Sequence, residues 1–148
     1  MGSTGQSARA ASGLHLIADF WGVRTIDSVA ELERLVRAAV EAAGATLLDI
    51  AFHQFPDHGG ITGYALLAES HLSVHTWPER DHVAIDVFMC GQQRPETSLE
   101  VFRQAFRPSA ESVHSVRRGI PADAAAVPTA VAASAVASTA PAIRAGEV

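Results

Sequence analysis

The sequence predicts an α/β sandwich of the α+β kind, in which two helices pack on one face of an antiparallel-rich sheet. Six segments have the alternation or composition of strands, and two carry apolar residues at helical spacing. Short turns join the middle strands, which favours antiparallel neighbours. The predicted order is β-α-β-β-β-β-α-β. A chain of 148 residues, of which 48% are hydrophobic, can bury one ordinary core, so we expect one folded domain.

The chain is predicted to begin with a strand and a helix. Residues 14–20 (LHLIADF) alternate well enough for a first strand. Ser28 and Glu31 then have the Ser-x-x-Glu spacing of a capping box, and Val, Leu and Ala residues follow on one helical face. Because Gly44 supplies a C-terminal stop, we expect a helix over residues 29–43.

Four further strands are expected in the middle of the chain, at residues 46–55, 64–68, 71–77 and 82–89. Pro and Gly mark turns at residues 56–60 and 78–81. If the second turn closes a hairpin, Trp77 pairs with His82, and His75 pairs with Ala84. The same register places Cys90 opposite Glu69, on one side of the sheet.

A second helix and a last strand complete the predicted fold. Thr97 and Glu100 repeat the capping-box spacing. The apolar residues that follow on one face are Leu99, Phe102 and Phe106. Pro108 closes this helix, and residues 111–116 form a candidate last strand.

Both ends of the chain are predicted to lie outside the domain. Residues 1–13 are small and polar, and residues 119–148 are rich in Ala and Pro, with few charges and no aromatic residue. Neither segment has enough apolar surface to offset the entropy of ordering it. We therefore expect a flexible N-terminal tail, a folded domain at residues 14–118 and a disordered C-terminal tail.

Composition argues against several classes of protein. The net charge is -5 and no basic run is interleaved with aromatic residues, so a nucleic-acid partner is not expected. The single cysteine cannot form an internal disulfide, which fits a reducing compartment. No apolar segment approaches the roughly 20 residues of a membrane span, and no signal peptide is recognisable. These features predict a cytoplasmic protein with no membrane partner.

The most informative segment is residues 69–79 (ESHLSVHTWPE), which places a serine, two histidines and two carboxylates in a strand-like pattern. This segment, together with residues 85–91 (IDVFMCG), resembles the prokaryotic S-adenosylmethionine decarboxylase proenzymes, which cleave themselves and carry a pyruvoyl group. The resemblance is gapless over residues 62–91 and extends more loosely over residues 14–116. It implies decarboxylation of S-adenosylmethionine to the aminopropyl donor for spermidine, by a zymogen that matures autocatalytically.

The resemblance also implies how the cofactor is made. The Ser70 hydroxyl attacks the Glu69 carbonyl, the peptide becomes an ester, and β-elimination leaves Ser70 as a pyruvoyl group. His75 is then the proton acceptor in processing, and Thr62 assists it. Without the resemblance, Ser70 would be an ordinary turn serine. Ser70 and His75 are an odd number of residues apart, so a bulge or bend is needed to bring them to one face.

Further residues are assigned to decarboxylation by the resemblance. The pyruvoyl ketone forms a Schiff base with the substrate amine and accepts electrons as pyridoxal phosphate would, so no pyridoxal phosphate is expected. Cys90 matches the proton donor, although a lone cysteine is usually an inert buried residue. Glu79 matches the ligand of the ribose hydroxyls, or is a solvated turn residue. Phe55 matches the aromatic that stacks on adenine, or belongs to the core, where Phe52 is expected.

Two histidines in this segment do not predict a metal site. His71 and His75 are four residues apart, about 13 Å along a strand, which one ion cannot bridge. No metal is therefore expected. The resemblance implies a homodimer of processed chains with the active site at the subunit interface.

Two alternative functions remain open. Between Phe55 and Gly63 the chain is one residue longer than the usual family pattern, and it carries Tyr64 where a small aliphatic residue is common. Because this segment borders the substrate, the same scaffold could decarboxylate a basic amino acid such as ornithine or arginine, with Asp57 holding the distal cation. The other alternative is an unprocessed homologue that regulates an active decarboxylase.

Overall fold

A computed structural model describes residues 13–120. Its elements are β1 (Gly13–Trp21), α1 (Val29–Ala42), β2 (Thr46–Gln54), β3 (Ile61–Ala68), β4 (Ser70–Trp77), β5 (His82–Cys90), α2 (Pro95–Phe106) and β6 (Ala110–Arg118). One turn of 3₁₀ helix, Pro78–Arg80, joins β4 to β5. The strands form one sheet in the order β2-β3-β4-β5-β1-β6, and every neighbouring pair is antiparallel. The predicted fold class and element order are confirmed.

The helices cover one face of the sheet and bury its apolar side chains. Alternate residues of β4 and β5 are buried, as expected for strands with a single core face. The apolar faces of α1 and α2 pack on these strand residues and form one core with them. Its largest fully buried side chains include Phe20, Phe102, Phe106, Leu32 and Leu72. Burial of this apolar area is the main favourable contribution to folding of the domain.

The opposite face, called the open face below, has no helix over it within residues 13–120. Strand alternation and pairing place the following residues there: Thr62, Tyr64 and Leu66 on β3; His71, Ser73, His75 and Trp77 on β4; His82, Ala84, Asp86, Phe88 and Cys90 on β5; and His15, Ile17, Asp19 and Trp21 on β1. Several large apolar side chains of this face are exposed to solvent.

The capping prediction is correct in part for α1. The Ser28 Oγ accepts a hydrogen bond from the Glu31 N–H at 3.4 Å. The Glu31 carboxylate does not return to the helix start, because it accepts a hydrogen bond from the Arg24 guanidinium at 2.6 Å. The helix ends at Ala42, one residue earlier than predicted.

The predicted capping box of α2 is wrong. The helix begins at Pro95, and Arg94 is the N-cap residue. Proline suits the first helical position because its φ is fixed and it has no N–H to satisfy. The Thr97 Oγ1 lies instead 2.7 Å from the Arg94 carbonyl oxygen and 2.9 Å from the Ala42 carbonyl oxygen, which share its single hydroxyl proton. Thr97 therefore ties α2 to the end of α1.

The predicted tails fall almost entirely on residues 1–12 and 121–148, which lie outside the described residues. Gly13, which was predicted to belong to the N-terminal tail, is the first residue of β1, and β6 ends at Arg118. Neither helix of the described part is long and apolar enough to cross a membrane.

Candidate active site

The Glu69–Ser70 peptide bond lies in the tight connection between β3 and β4. Glu69 is the single residue between the two strands and is exposed. Ser70, the first residue of β4, is only 9% exposed and lies on the helix-covered face with Leu72. The bond therefore joins a residue in solvent to one held by the core.

Gln93 contacts the chain on both sides of Glu69. The Ser70 hydroxyl donates a hydrogen bond to the Gln93 Oε1 at 3.3 Å. The Gln93 Nε2 donates to the Ala68 carbonyl at 3.0 Å. No motif in the sequence assigns a role to Gln93. The available signal was the predicted hairpin register, which brings the residues after Cys90 to the β3–β4 connection.

The segment that carries Gln93 is fixed by backbone contacts. Gly91 has a φ of 65°, a left-handed conformation that glycine adopts without strain, and it turns the chain at the end of β5. The Gln93 N–H donates to the Cys90 carbonyl at 3.4 Å. The Arg94 N–H donates to the carbonyl of Ala43, the residue after α1, at 3.1 Å. Gln93 is therefore held between β5 and the end of α1.

Cys90 and Glu69 line the same open cleft, which has a volume of about 590 Å³. The predicted register is confirmed, since Trp77 pairs with His82 and His75 with Ala84. This ladder extends to the pair His71 and Phe88, two residues short of the Glu69–Cys90 position. The Cys90 thiol is half-buried and free. One end of the sheet thus carries the cleavage position and the thiol together.

His75 and Thr62 form a second group, on the open face. They pair directly across β3 and β4, and the Thr62 Oγ1 and the His75 Nδ1 are 3.0 Å apart. Which atom donates this hydrogen bond depends on the imidazole tautomer. The bond holds the ring in one orientation and leaves Nε2 for another partner.

His75 and Ser70 do not meet within one chain. The β3–β4 ladder runs in one register from Thr62–His75 to Leu67–Ser70, so the bulge or bend that would join them is absent from this ladder. The two side chains lie on opposite faces and, at about 3.3 Å per residue, about 16 Å apart along the strand. A reaction that uses both the Ser70 hydroxyl and the His75 imidazole must therefore take one of these side chains from a second copy of the chain.

Phe55 and Glu79 lie at the His75 end of the sheet. Glu79 is exposed in the 3₁₀ turn after β4. Phe55 follows β2 and is 39% exposed, so it is not a core residue, whereas Phe52 packs against the core over Gly63. The Phe55 ring stacks on His58 of the longer loop, with centroids 5.4 Å apart.

Several other polar groups of the open face are paired. His15 lies 3.0 Å from Asp86, and His82 lies 2.9 Å from Asp19. The Tyr64 hydroxyl donates to Asp49 on β2, and this carboxylate raises the pKa of Tyr64 through its charge and the hydrogen bond. Within residues 13–120, no three His, Cys, Asp or Glu side chains are grouped so that they could hold a metal ion.

The sequence is similar to a known family and to proenzymes from several organisms. Residues 14–119 match the family described as S-adenosylmethionine decarboxylase. A protein named S-adenosylmethionine decarboxylase proenzyme from Thermomicrobium roseum is 44% identical over 112 residues, which cover 75% of this chain and 97% of the relative. A proenzyme of the same name from Methanococcus maripaludis is 39% identical over 111 residues, covering 73% of this chain and 90% of the relative.

The fold is similar to that of a solved decarboxylase. The crystal structure of the adenosylmethionine decarboxylase from Aquifex aeolicus superposes with a TM-score of 0.69 at 33% sequence identity. The superposition covers 76% of this chain and 94% of that chain. Sequence and architecture agree over nearly the whole described region. The chain belongs to the S-adenosylmethionine decarboxylase family.

Proposed function

We propose that this chain is a self-processing, pyruvoyl-dependent decarboxylase that converts S-adenosylmethionine to decarboxylated S-adenosylmethionine, the aminopropyl donor for spermidine. One observation carries the proposal. In a chain of this family, the Glu69–Ser70 bond joins an exposed residue to a buried serine, next to a cleft that contains the free thiol of Cys90.

Self-cleavage would begin when the Ser70 Oγ attacks the Glu69 carbonyl carbon. The Oγ proton passes to the Ser70 nitrogen as the C–N bond breaks, which leaves an ester and a free amine. Removal of the Ser70 α-proton then breaks the Cβ–Oγ bond and frees Glu69 as a carboxylate. Water hydrolyses the remaining enamine, after tautomerisation, to ammonia and a pyruvoyl group. The proposed proton acceptor is the imidazole of His75, oriented by Thr62.

The residues around Ser70 fit a pyruvoyl group, since the serine lies at a strand end beside a cleft open to a substrate. The group supplies a ketone that accepts the electrons released when carbon dioxide leaves. The Cys90 thiol is proposed to deliver a proton to the substrate carbon. Glu79 is proposed to accept hydrogen bonds from the two ribose hydroxyls, and Phe55 to stack on adenine.

These proposed roles are divided between two ends of the sheet. Ser70 and Cys90 lie at one end, whereas His75, Glu79 and Phe55 lie toward the other. The β4 strand from Ser70 to Trp77 spans about 23 Å at about 3.3 Å per residue. A single substrate molecule cannot contact both groups of one chain.

A two-fold dimer would bring the two groups together. Two-fold symmetry packs the same surface of each copy against the other, so opposite ends of two open faces can meet. The open face is suited to this, because its exposed apolar side chains include Ile17, Trp21, Tyr64 and Leu66, together with Val116 of β6, which pairs with His15. A patch of this kind typically marks an interface. Each proposed active site therefore takes Ser70 and Cys90 from one copy, and His75, Glu79 and Phe55 from its partner.

Mass spectrometry and a decarboxylation assay test this function. We expect the purified protein to contain two chains, residues 1–69 and 70–148, the second without a free N-terminal amine. Labelled carbon dioxide should be released from S-adenosylmethionine without added pyridoxal phosphate, and not from ornithine or arginine. Release from a basic amino acid instead would overturn the substrate assignment. An intact, inactive chain would favour a regulatory protein and contradict the proposal.

A further inference from the structure

We infer that Gln93 is a positioning residue for self-cleavage, because its amide holds the Ser70 hydroxyl and the Ala68 carbonyl on either side of Glu69. This inference rests on the proposed function, since it concerns the reaction at the same peptide bond. It adds a residue that neither the motif nor the resemblance assigns.

The side chain of Gln93 can make both contacts because an amide carries a donor and an acceptor on one planar group. Its Oε1 accepts the Ser70 O–H at 3.3 Å and its Nε2 donates to the Ala68 carbonyl at 3.0 Å. The atoms that flank the reacting Glu69 carbonyl are thereby held to one rigid group. Without the contact to Oε1, the Ser70 hydroxyl is no longer held in place. Without the contact to Nε2, the backbone at Ala68, next to the Glu69 carbonyl, is no longer held.

Backbone hydrogen bonds on both sides of Gln93 hold its side-chain amide in a fixed position. The Gln93 N–H is bonded to the Cys90 carbonyl, and the next residue, Arg94, is bonded to Ala43 at the end of α1. The serine is anchored independently, since it begins β4 and is buried. Holding a nucleophile near its target before reaction lowers the entropic part of the barrier, and small displacements can slow such reactions by about 100-fold.

Gln93 acts by position and not as a base. A neutral amide oxygen accepts a hydrogen bond but has too little basicity to take the hydroxyl proton at neutral pH. With the Ser70 O–H directed toward Gln93, an Oγ lone pair is left for the Glu69 carbonyl carbon. The proton still has to leave through another group as the C–O bond forms and the C–N bond breaks.

The test compares cleavage rates in the full-length chain. Gln93→Leu retains the approximate volume and removes both hydrogen bonds, so we expect cleavage to slow by about 10- to 100-fold. Turnover of S-adenosylmethionine per cleaved chain should fall less than the cleavage rate, because the Ser70 hydroxyl that Gln93 binds no longer exists after maturation, although Gln93 also lines the cleft. Gln104→Leu is the matched control, since Gln104 is exposed on α2 and contacts only Glu100 among the described hydrogen bonds.

Gln93→Glu provides a second, pH-dependent measurement. At neutral pH the new carboxylate accepts from Ser70 but cannot donate to the Ala68 carbonyl. A free glutamate has a pKa of about 4.3, so acidification restores a donor. The ratio of variant to wild-type cleavage rate should therefore rise from pH 7 to pH 5. A merely structural role would not produce this recovery, and a carboxylate acting as base would produce the opposite trend.

Each result separates this inference from the proposed function. If wild-type protein cleaves and both variants cleave at its rate, the role of Gln93 is refuted while the function stands. If wild-type protein does not cleave, the function fails. If Gln93→Leu does not fold, as judged by its thermal unfolding, the pH dependence of Gln93→Glu decides alone.

Discussion

The substitution Ser70→Ala is expected to leave the chain intact and to reduce decarboxylation of S-adenosylmethionine to the uncatalysed background. Alanine has no oxygen to attack the Glu69 carbonyl, so neither the ester nor the pyruvoyl group can form. The fold should persist, because Ser70 contributes one hydrogen bond at 3.3 Å and no other polar contact is described for its side chain. Mass spectrometry and carbon dioxide release measure the two losses in one preparation.

Ser115→Ala is the matched control for this experiment. Ser115 is also a strand serine, but it is exposed on β6 and does not line the cleft. We expect wild-type cleavage and activity from it. Decarboxylation by uncleaved Ser70→Ala would contradict the assignment of the cofactor.

The substitution Cys90→Ala is expected to separate maturation from turnover. Cys90 lines the cleft, but no described hydrogen bond joins its thiol to Ser70 or Gln93, so cleavage should proceed at close to the wild-type rate. Loss of a positioned proton donor typically costs about 10²- to 10⁴-fold in rate. The value of kcat for carbon dioxide release, normalised to cleaved chain, should fall by that amount.

Cys90→Ser is the companion variant. A hydroxyl occupies nearly the same position but is a much weaker acid, so its kcat should lie close to that of Cys90→Ala. Near-normal turnover by both variants would show that another group protonates the product, and an uncleaved chain would place Cys90 in maturation instead.

The sequence was sufficient for the fold because several local signals agree. The turn at residues 78–81 fixes the β4–β5 register, and Asp81 closes it with a φ of 47°. Once that register is known, strand alternation assigns His75 and Ala84 to one face and Val74 and Ile85 to the core. Pattern and turn chemistry point to one arrangement, which is typical of sequences that specify a unique fold.

Local signals failed where the outcome depended on tertiary contacts. Thr97 has the spacing of a helix cap, yet Pro95 starts α2 and Thr97 bonds to the Ala42 carbonyl of another element. The position of Gln93 likewise depends on the packing of the β5–α2 segment against the end of α1. Neither contact has a sequence signature, because each depends on residues about 25 to 55 positions away.

The sequence identifies the individual candidate residues of the site, but it does not predict how they are arranged in space. The motif lies within one segment, which suggests one cluster, but the unbroken β3–β4 register separates Ser70 from His75. This separation is the reason for proposing that each active site is shared between two copies.

Mixing Ser70→Ala and His75→Ala chains tests the shared site most directly. Each variant alone should remain uncleaved. When the two are co-expressed with different tags, each mixed dimer has one site with Ser70 from one chain and His75 from the other. Random pairing makes half of the dimers mixed, so activity should recover to about a quarter of wild type, and only the His75→Ala chain should be cleaved. Mixed dimers that form but contain no cleaved chain would contradict the shared site.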